Sequence, residues 1–331
     1  MIKMAPLGAG RIGQVHGGAI TMVPGATLVA VADAFPKAAQ DIADKYGCDV
    51  RTIDEIADSK DVDAVLICTP TDTHADLIEQ FSAAKKAIFC EKPIDLNIDC
   101  VRSCLDTVKK NKGKLMLGFN RRFDPDFMAL HDAVASGKIG SVEMVTITSR
   151  DPGAPPADYI SRSGGIFRDM TIHDFDIARW ILGEEIETVS ATASVLTDPA
   201  IGELGDFDSA NIMLRTASGK LATITNSRRA AYGYDQRIEV LGSLGSVTAN
   251  NTHEANIEIA TESGMNKPPL LNFFMTRYTA AYANEIAAFV DGLVKKTEFP
   301  TTGYDGMMAL ALAEAAVKSV HEGRSVKVED I

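Results

Sequence analysis

The sequence predicts an α/β protein in two parts: a doubly wound parallel sheet, then an open-faced, mostly antiparallel sheet with helices. Three observations lead there. Over the first ~120 residues, short apolar runs without polar alternation are separated by amphipathic stretches. Strands of that kind are buried on both faces by crossover helices. Beyond about residue 121, several runs alternate apolar and polar residues, divided by glycine turns such as "ASGK" and "GSLGS". That period suits antiparallel strands with one covered face. Finally, 331 residues favour two domains over one. The expected division is 1–120 and 121–331, with the C-terminal helices as candidates to pack back on the first domain.

The elements follow in order. "IKMAPL" reads as a strand, "RIGQVHGGAITMV" as a helix and "ATLVAVAD" as a strand rich in Val and Ala. Next come "FPKAAQDIADKYG" (helix), "VDAVLICTP" (strand), "THADLIEQFSAAKKA" (helix), "AIFCEKP" (strand), a helix near 98–111 and "KLMLGFN" (strand). Pro6 is awkward inside the first strand, because it cannot donate a ladder hydrogen bond. A helix near 124–136 opens the second part. Strand-like runs follow: "SVEMVTITSR", "ETVSATASVL", "SANIMLRTA", "LATITNSRR", "RIEVLGS", "GSVTAN" and "NIEIAT". "YTAAYANEIAAFVDGLVKK" and "GYDGMMALALAEAAVKSVHEG" are helical. "RDPGAPPADYISRSGG" reads as a long Pro/Gly-rich loop.

Composition removes several function classes. Hydrophobic residues make up 46% and charged residues 24%, the balance of a soluble globular chain. A formal net charge of -12 argues against nucleic acid or an anionic membrane as the main partner. No apolar run approaches the ~20 residues of a membrane span, and the N-terminus runs straight into a glycine motif, leaving no room for a signal peptide. Five cysteines without a CxxC pair read as reduced thiols, so a cytoplasmic location is expected. No metal-ligand set is apparent.

Gly8, Gly10 and Gly13 form GxGxxG between a strand and a helix. The spacing serves a tight turn, close backbone approach to a pyrophosphate, and helix–strand packing, which is the Rossmann dinucleotide motif. The helix N-terminus then offers N–H groups and a positive dipole end to the phosphates. Asp33 ends the second strand with no arginine beside it. A carboxylate there binds ribose hydroxyls and repels a 2′-phosphate, so NAD is expected over NADP. Ligands gather at strand carboxyl ends, where "CTPTDTH" and "CEKP" fall. Candidate cofactor contacts are therefore Gly8, Gly10, Arg11, Ile12, Gly13, Asp33, Thr69, Pro70, His74, Glu91 and Lys92. His74 at a helix start has an equally good structural reading.

Lys92 precedes Pro93 and is thereby pushed out of helical geometry. A directed lysine beside the cofactor could stabilise developing alkoxide charge. In "GGIFRDMTIHDFDIARW", Asp169, His173 and Asp176 would share one face of a regular helix at i, i+4 and i+7. A histidine with a pKa near ~6.5 is a suitable proton acceptor.

Taken in order, "GAGRIG", "CTPTDTH", "EKP", "GFNRRFD", "TSRDPGAPP", "SGGIFRDMTIHDFDIARW" and "RYTAAYANEIAAFV" span almost the whole chain. Together they resemble the glucose–fructose oxidoreductase/inositol dehydrogenase/rhizopine catabolism superfamily, most like its myo-inositol 2-dehydrogenase branch. The resemblance implies a catalytic trio of Lys92, Asp169 and His173. It implies substrate contacts from Asp176, Asn120, Arg121 and Asp151, and from Tyr232 or Tyr234 without choosing between them. It also implies a homo-oligomer, tetramer or dimer, through the second sheet, acting on a cyclic polyol or sugar. A scyllo-inositol or aldose dehydrogenase, a glycosidase that uses NAD transiently, and a non-catalytic NAD-binding regulator are the alternatives.

Overall fold

A computed structural model describes residues 1–331. The chain divides into two compact units, Met1–Asp124 with Thr279–Leu310, and Pro125–Tyr278 with Ala311–Ile331. The first unit thus takes in a C-terminal segment that no local pattern assigns to it. None of the helices is long and apolar enough to cross a membrane.

The first unit contains β1 (Ile2–Leu7), α1 (Arg11–Met22), β2 (Ala26–Leu28), β3 (Ala30–Val31), α2 (Pro36–Tyr46), β4 (Asp49–Val50) and α3 (Ile53–Asp58). It continues through β5 (Ala64–Ile67), α4 (His74–Ala83), β6 (Ala87–Glu91), α5 (Ile98–Lys110) and β7 (Lys114–Gly118). Five strands form a parallel sheet in the order β2-β1-β5-β6-β7. Ala64, Val65, Leu66 and Ile67 of β5 are all fully buried, as their unbroken apolar run requires of a doubly covered strand.

The "ATLVAVAD" strand is broken at Val29, and the adjacent Pro6 explains why. Pro6 keeps its carbonyl in the ladder, accepting from Ala32 N–H at 3.0 Å, but has no N–H to hold the neighbouring strand in continuous register. The short β4 and α3 have no counterpart in the periodicity. A capping box, Thr52 with Glu55, starts α3.

In the second unit lie α6 (Pro125–Ala135), β8 (Val142–Arg150), α7 (Ala157–Ser163), a π-helical turn (Phe167–Thr171), α8 (Ile172–Leu182), β9 (Ile186–Ser194) and α9 (Pro199–Glu203). Strands β10 (Ser209–Thr216), β11 (Leu221–Ser227), β12 (Asp235–Gly242), β13 (Gly245–Ala249), β14 (Ile259–Thr261) and β15 (Gly264–Asn266) follow, then α10 (Phe274–Arg277). Helix α11 (Thr279–Lys295) returns to the first unit, and α12 (Gly303–Glu322) runs from the first into the second, before β16 (Val326–Lys327).

The second sheet has seven strands in the order β13-β12-β8-β11-β10-β9-β16. All its pairs are antiparallel except β8 with β11. Period-2 alternation sorts its faces: Val145, Ile147, Ala222, Ile224, Ile238 and Val240 are buried. On the opposite face Met144 lies between Leu221 and Leu241 in register, and all three are exposed. The second half of the predicted Pro/Gly loop is helical: α7 places Tyr159 ten residues ahead of Asp169.

Candidate active site

The glycine loop has a backbone reason at each position. Gly8 has φ of +98°, and a Cβ there would lie 2.6 Å from the Cys68 carbonyl oxygen. A Cβ at Gly13 would lie 2.0 Å from the Gly8 carbonyl oxygen, whereas nothing lies within 4 Å of one at Gly10. Two glycines close the turn and the third leaves open backbone for a pyrophosphate. Helix α1 begins beside it with no side-chain cap and no acidic residue in its first turn, so its N–H groups remain for an anion. These residues fit a dinucleotide. Gly13→Ala is expected to weaken NAD binding by about fivefold to a hundredfold, the scale of an overpacking cost of roughly 1–3 kcal/mol in the loop that would hold the pyrophosphate. Calorimetric titration with NAD checks this.

Asp33 accepts from Ala9 N–H at 2.5 Å and from Phe35 N–H at 2.7 Å. It thus ties the glycine loop to the end of β3, with further lone pairs on each oxygen for ribose hydroxyls. His74 stands at the start of α4. It is 2% exposed, and its two ring nitrogens meet the carbonyl oxygens of Pro93 (2.7 Å) and Thr69 (2.8 Å). Whichever nitrogen carries the proton, the ring lies between two strand-end loops, which supports the structural reading of His74 over a cofactor contact. Lys92 follows β6 directly. Asn120 and Arg121 lie buried in the 3₁₀ turn after β7.

In the second unit, Asp169 belongs to the π turn, and His173, Asp174 and Asp176 belong to α8. The regular i, i+4, i+7 face is therefore corrected at its first member, because a π turn winds more widely than an α turn. Such turns are frequent at functional sites. His173 and Asp176 retain α spacing. Asp174 is fully buried and accepts from Asn226 Nδ2 at 2.8 Å, while the Thr171 hydroxyl donates to Asn226 Oδ1 at 2.6 Å. Asp174 thereby joins α8 to β11, apart from the face given to Asp169, His173 and Asp176.

Asp169 is held by two residues that periodicity does not reveal. The Tyr159 hydroxyl donates to Asp169 Oδ1 at 2.8 Å, and Arg228 Nη1 lies 3.5 Å from Asp169 Oδ2. Arg228 is 1% exposed and also pairs with Asp206 at 3.4 Å. Tyr159 is 45% exposed, with its hydroxyl turned to Asp169. Burial there, then the charge of Asp169, raises the phenol well above its usual range, so Tyr159 stays a neutral donor.

The two tyrosine candidates separate. The Tyr232 hydroxyl donates to Asp235 and accepts from Arg150 Nη1 at 2.8 Å, whereas Tyr234 is buried edge-on against Phe273 and Tyr278. Asp151, at the end of β8, is tied through its backbone to Ser227 and Ala230. All five cysteines are free thiols. Burial pushes Cys104 up to about 12 and Cys68 and Cys90 well up, so none is poised as a nucleophile.

Residues 2–119 match the oxidoreductase family with an NAD-binding Rossmann fold, and residues 127–248 match the GFO/IDH/MocA C-terminal domain. The chain belongs to the GFO/IDH/MocA oxidoreductase family. It is 63% identical to the inositol 2-dehydrogenase of Rhizobium meliloti (strain 1021), covering 99% of each chain. The crystal structure of a myo-inositol dehydrogenase from Corynebacterium glutamicum ATCC 13032 is 42% identical with a TM-score of 0.95, covering 99% of this chain and 98% of that one. A scyllo-inositol dehydrogenase from Lactobacillus casei, solved with bound NAD(H) and scyllo-inositol, is 29% identical with a TM-score of 0.92, covering 99% of each. This GFO/IDH/MocA chain is thus an oxidoreductase with an NAD-binding Rossmann domain.

Proposed function

We propose that the chain is an NAD-dependent inositol 2-dehydrogenase, oxidising a ring hydroxyl of myo-inositol to give 2-keto-myo-inositol. One observation carries this reading: the Asp169 carboxylate is held by Tyr159 and Arg228 just ahead of His173, in a chain 63% identical to an inositol 2-dehydrogenase. Bound in the glycine loop, NAD would supply the acceptor for the hydride of the carbinol carbon. His173 takes the hydroxyl proton, a task suited to an imidazole near neutral pH. Lys92 stabilises the alkoxide-like oxygen, and Asp169 orients the proton acceptor. Asn120, Arg121, Asp151 and Asp176 bind the remaining hydroxyls. Tyr232 or Tyr234 adds a further contact.

The likeness to a scyllo-inositol dehydrogenase favours scyllo-inositol as the second substrate to test, with an aldose after it. NADH absorbance, followed with NAD and then NADP against myo-inositol, scyllo-inositol and a set of aldoses, ranks them by kcat/KM. No NADH from either inositol, with NAD bound, would remove the reading. Asp33→Ala is expected to reduce the NAD-over-NADP ratio of kcat/KM by about tenfold or more, since a hydrogen bond to a charged group is worth roughly 1.5–3 kcal/mol. An unchanged ratio would take Asp33 out of the ribose site.

The same reading includes a homotetramer or dimer through the second sheet, supported by the exposed row Leu221, Met144 and Leu241. Met144→Lys should lower the mass seen by light scattering. A cytoplasmic location is supported by the five free thiols.

A further inference from the structure

His16 on α1 and Glu285 on α11 have no part in the reaction above, yet both are 0% exposed. His16 Nε2 lies 2.6 Å from Glu91 Oε1 at the end of β6. On the other side of the ring, Nδ1 lies 3.9 Å from Glu285 Oε1. Neither Nδ1 nor either Glu285 oxygen has a hydrogen-bond partner. The ring is wedged edge-on between Phe89 (5.1 Å) and Tyr282 (5.5 Å), so it cannot swing to water. Gly118 on β7 leaves room for the Glu91 carboxyl, since a Cβ there would come within 3.3 Å of Oε1.

Two charge arrangements carry the same protons. In one, an imidazolium lies between two carboxylates, three charges in an apolar shell. In the other, Glu285 holds the second proton, His16 is neutral with its proton on Nε2, and the one charge sits on Glu91. Only Glu91 has both a hydrogen bond and side-chain exposure, 13%. An ionised Glu285 without a donor would be far more costly than a neutral acid. Burial, then the Glu91 charge, pushes the Glu285 carboxyl well above its usual range. The other titratable groups facing the cluster are Cys68 and Cys90, both kept neutral by burial, and Tyr282.

We propose that Glu285, as a neutral acid, and His16, as the Nε2–H tautomer, are positioning residues that anchor Glu91 and through it the backbone of Lys92. Glu91 is fixed by His16, and the Pro93 carbonyl is fixed by His74. Lys92 therefore stands between two histidine-anchored residues, and the proposal rests on the role given to Lys92 above. The three residues gather ligand atoms within 4.8 Å of one another. A metal would need His16 Nδ1 bare and Glu285 ionised, which sets that occupant apart by experiment.

The test combines ¹⁵N-histidine NMR, with His16→Asn assigning the signal, and inositol kinetics. His16 should show one protonated and one bare nitrogen, unchanged by added Zn²⁺ or Mn²⁺ and retained in Glu285→Gln. His16→Asn and Glu285→Ala should each lower kcat/KM about tenfold to a hundredfold, the scale of a misplacement near 1 Å. NAD affinity should change less than about threefold, well inside that kinetic loss, and Glu285→Gln should restore most of the rate. An imidazolium signal, a selective metal response, or a folded His16→Asn with full kcat/KM would each overturn the proposal. If His16→Asn fails to fold, Glu285→Gln decides: loss of the rate equal to that of Glu285→Ala would overturn it. A wild-type chain that oxidises no inositol would count against the function above, and the tautomer signal would still judge the pair.

Discussion

Replacing His173 with alanine is expected to lower kcat by about a hundredfold to ten-thousandfold, the usual contribution of a positioned general base. NAD affinity should change little, because the glycine loop, the uncapped start of α1 and Asp33 all belong to the first unit. His173 is half-buried on α8, so alanine there removes little packing. Stopped-flow kinetics with myo-inositol, paired with NAD titration, separates the two effects. An equal loss in kcat and in NAD affinity, with normal folding, would remove His173 from the base role.

Arg228→Leu is expected to cost about 3–5 kcal/mol of stability, the penalty for removing one partner of a buried charge pair. Arg228 is 1% exposed and stands between Asp169 and Asp206. Its loss removes the guanidinium that both carboxylates face. Asp206 is itself committed, accepting from Ile166 N–H at 2.9 Å at the start of the segment that carries Asp169. The double variant Arg228→Leu/Asp206→Asn should regain part of the stability but not the activity, since the Arg228 contact to Asp169 is still missing. Urea unfolding of the single and double variants reads the coupling. A single-variant loss below about 1 kcal/mol would show that water reaches and screens the pair.

What could be read from the chain alone followed from short-range constraints. The GxGxxG loop was legible because Gly8 and Gly13 have no room for a Cβ, a demand that only glycine meets. The two sheet types were legible because a doubly covered strand and a half-covered strand differ in period. Asp33 was legible from its place at a strand end. Pro6 was legible as a missing ladder donor, although only the sheet showed that β1 stays whole while the neighbouring strand breaks at Val29.

Other features depended on partners far apart in sequence, and no local spacing encodes them. The i, i+4, i+7 pattern assumed regular winding, and the π turn at Phe167–Thr171 changed it at Asp169. Asp174 looked equivalent to its neighbours until Asn226, 52 residues on, took its carboxylate. His74 offered a cofactor contact or a structural role, and the two backbone carbonyls beside its ring support the second. Tyr159 and Arg228 were not marked by any motif. Glu285 was visible only as an acid in the apolar run "YANEIAAFV".

The sequence by itself therefore determined the class of each sheet, the nucleotide loop and the residue types available for proton transfer. Tertiary structure alone decided which charges are buried, which are paired and which stay available. The physical reason is that the cost of a charge depends on the dielectric and the hydrogen-bond donors around it, and these are supplied by residues that meet only when the chain has folded.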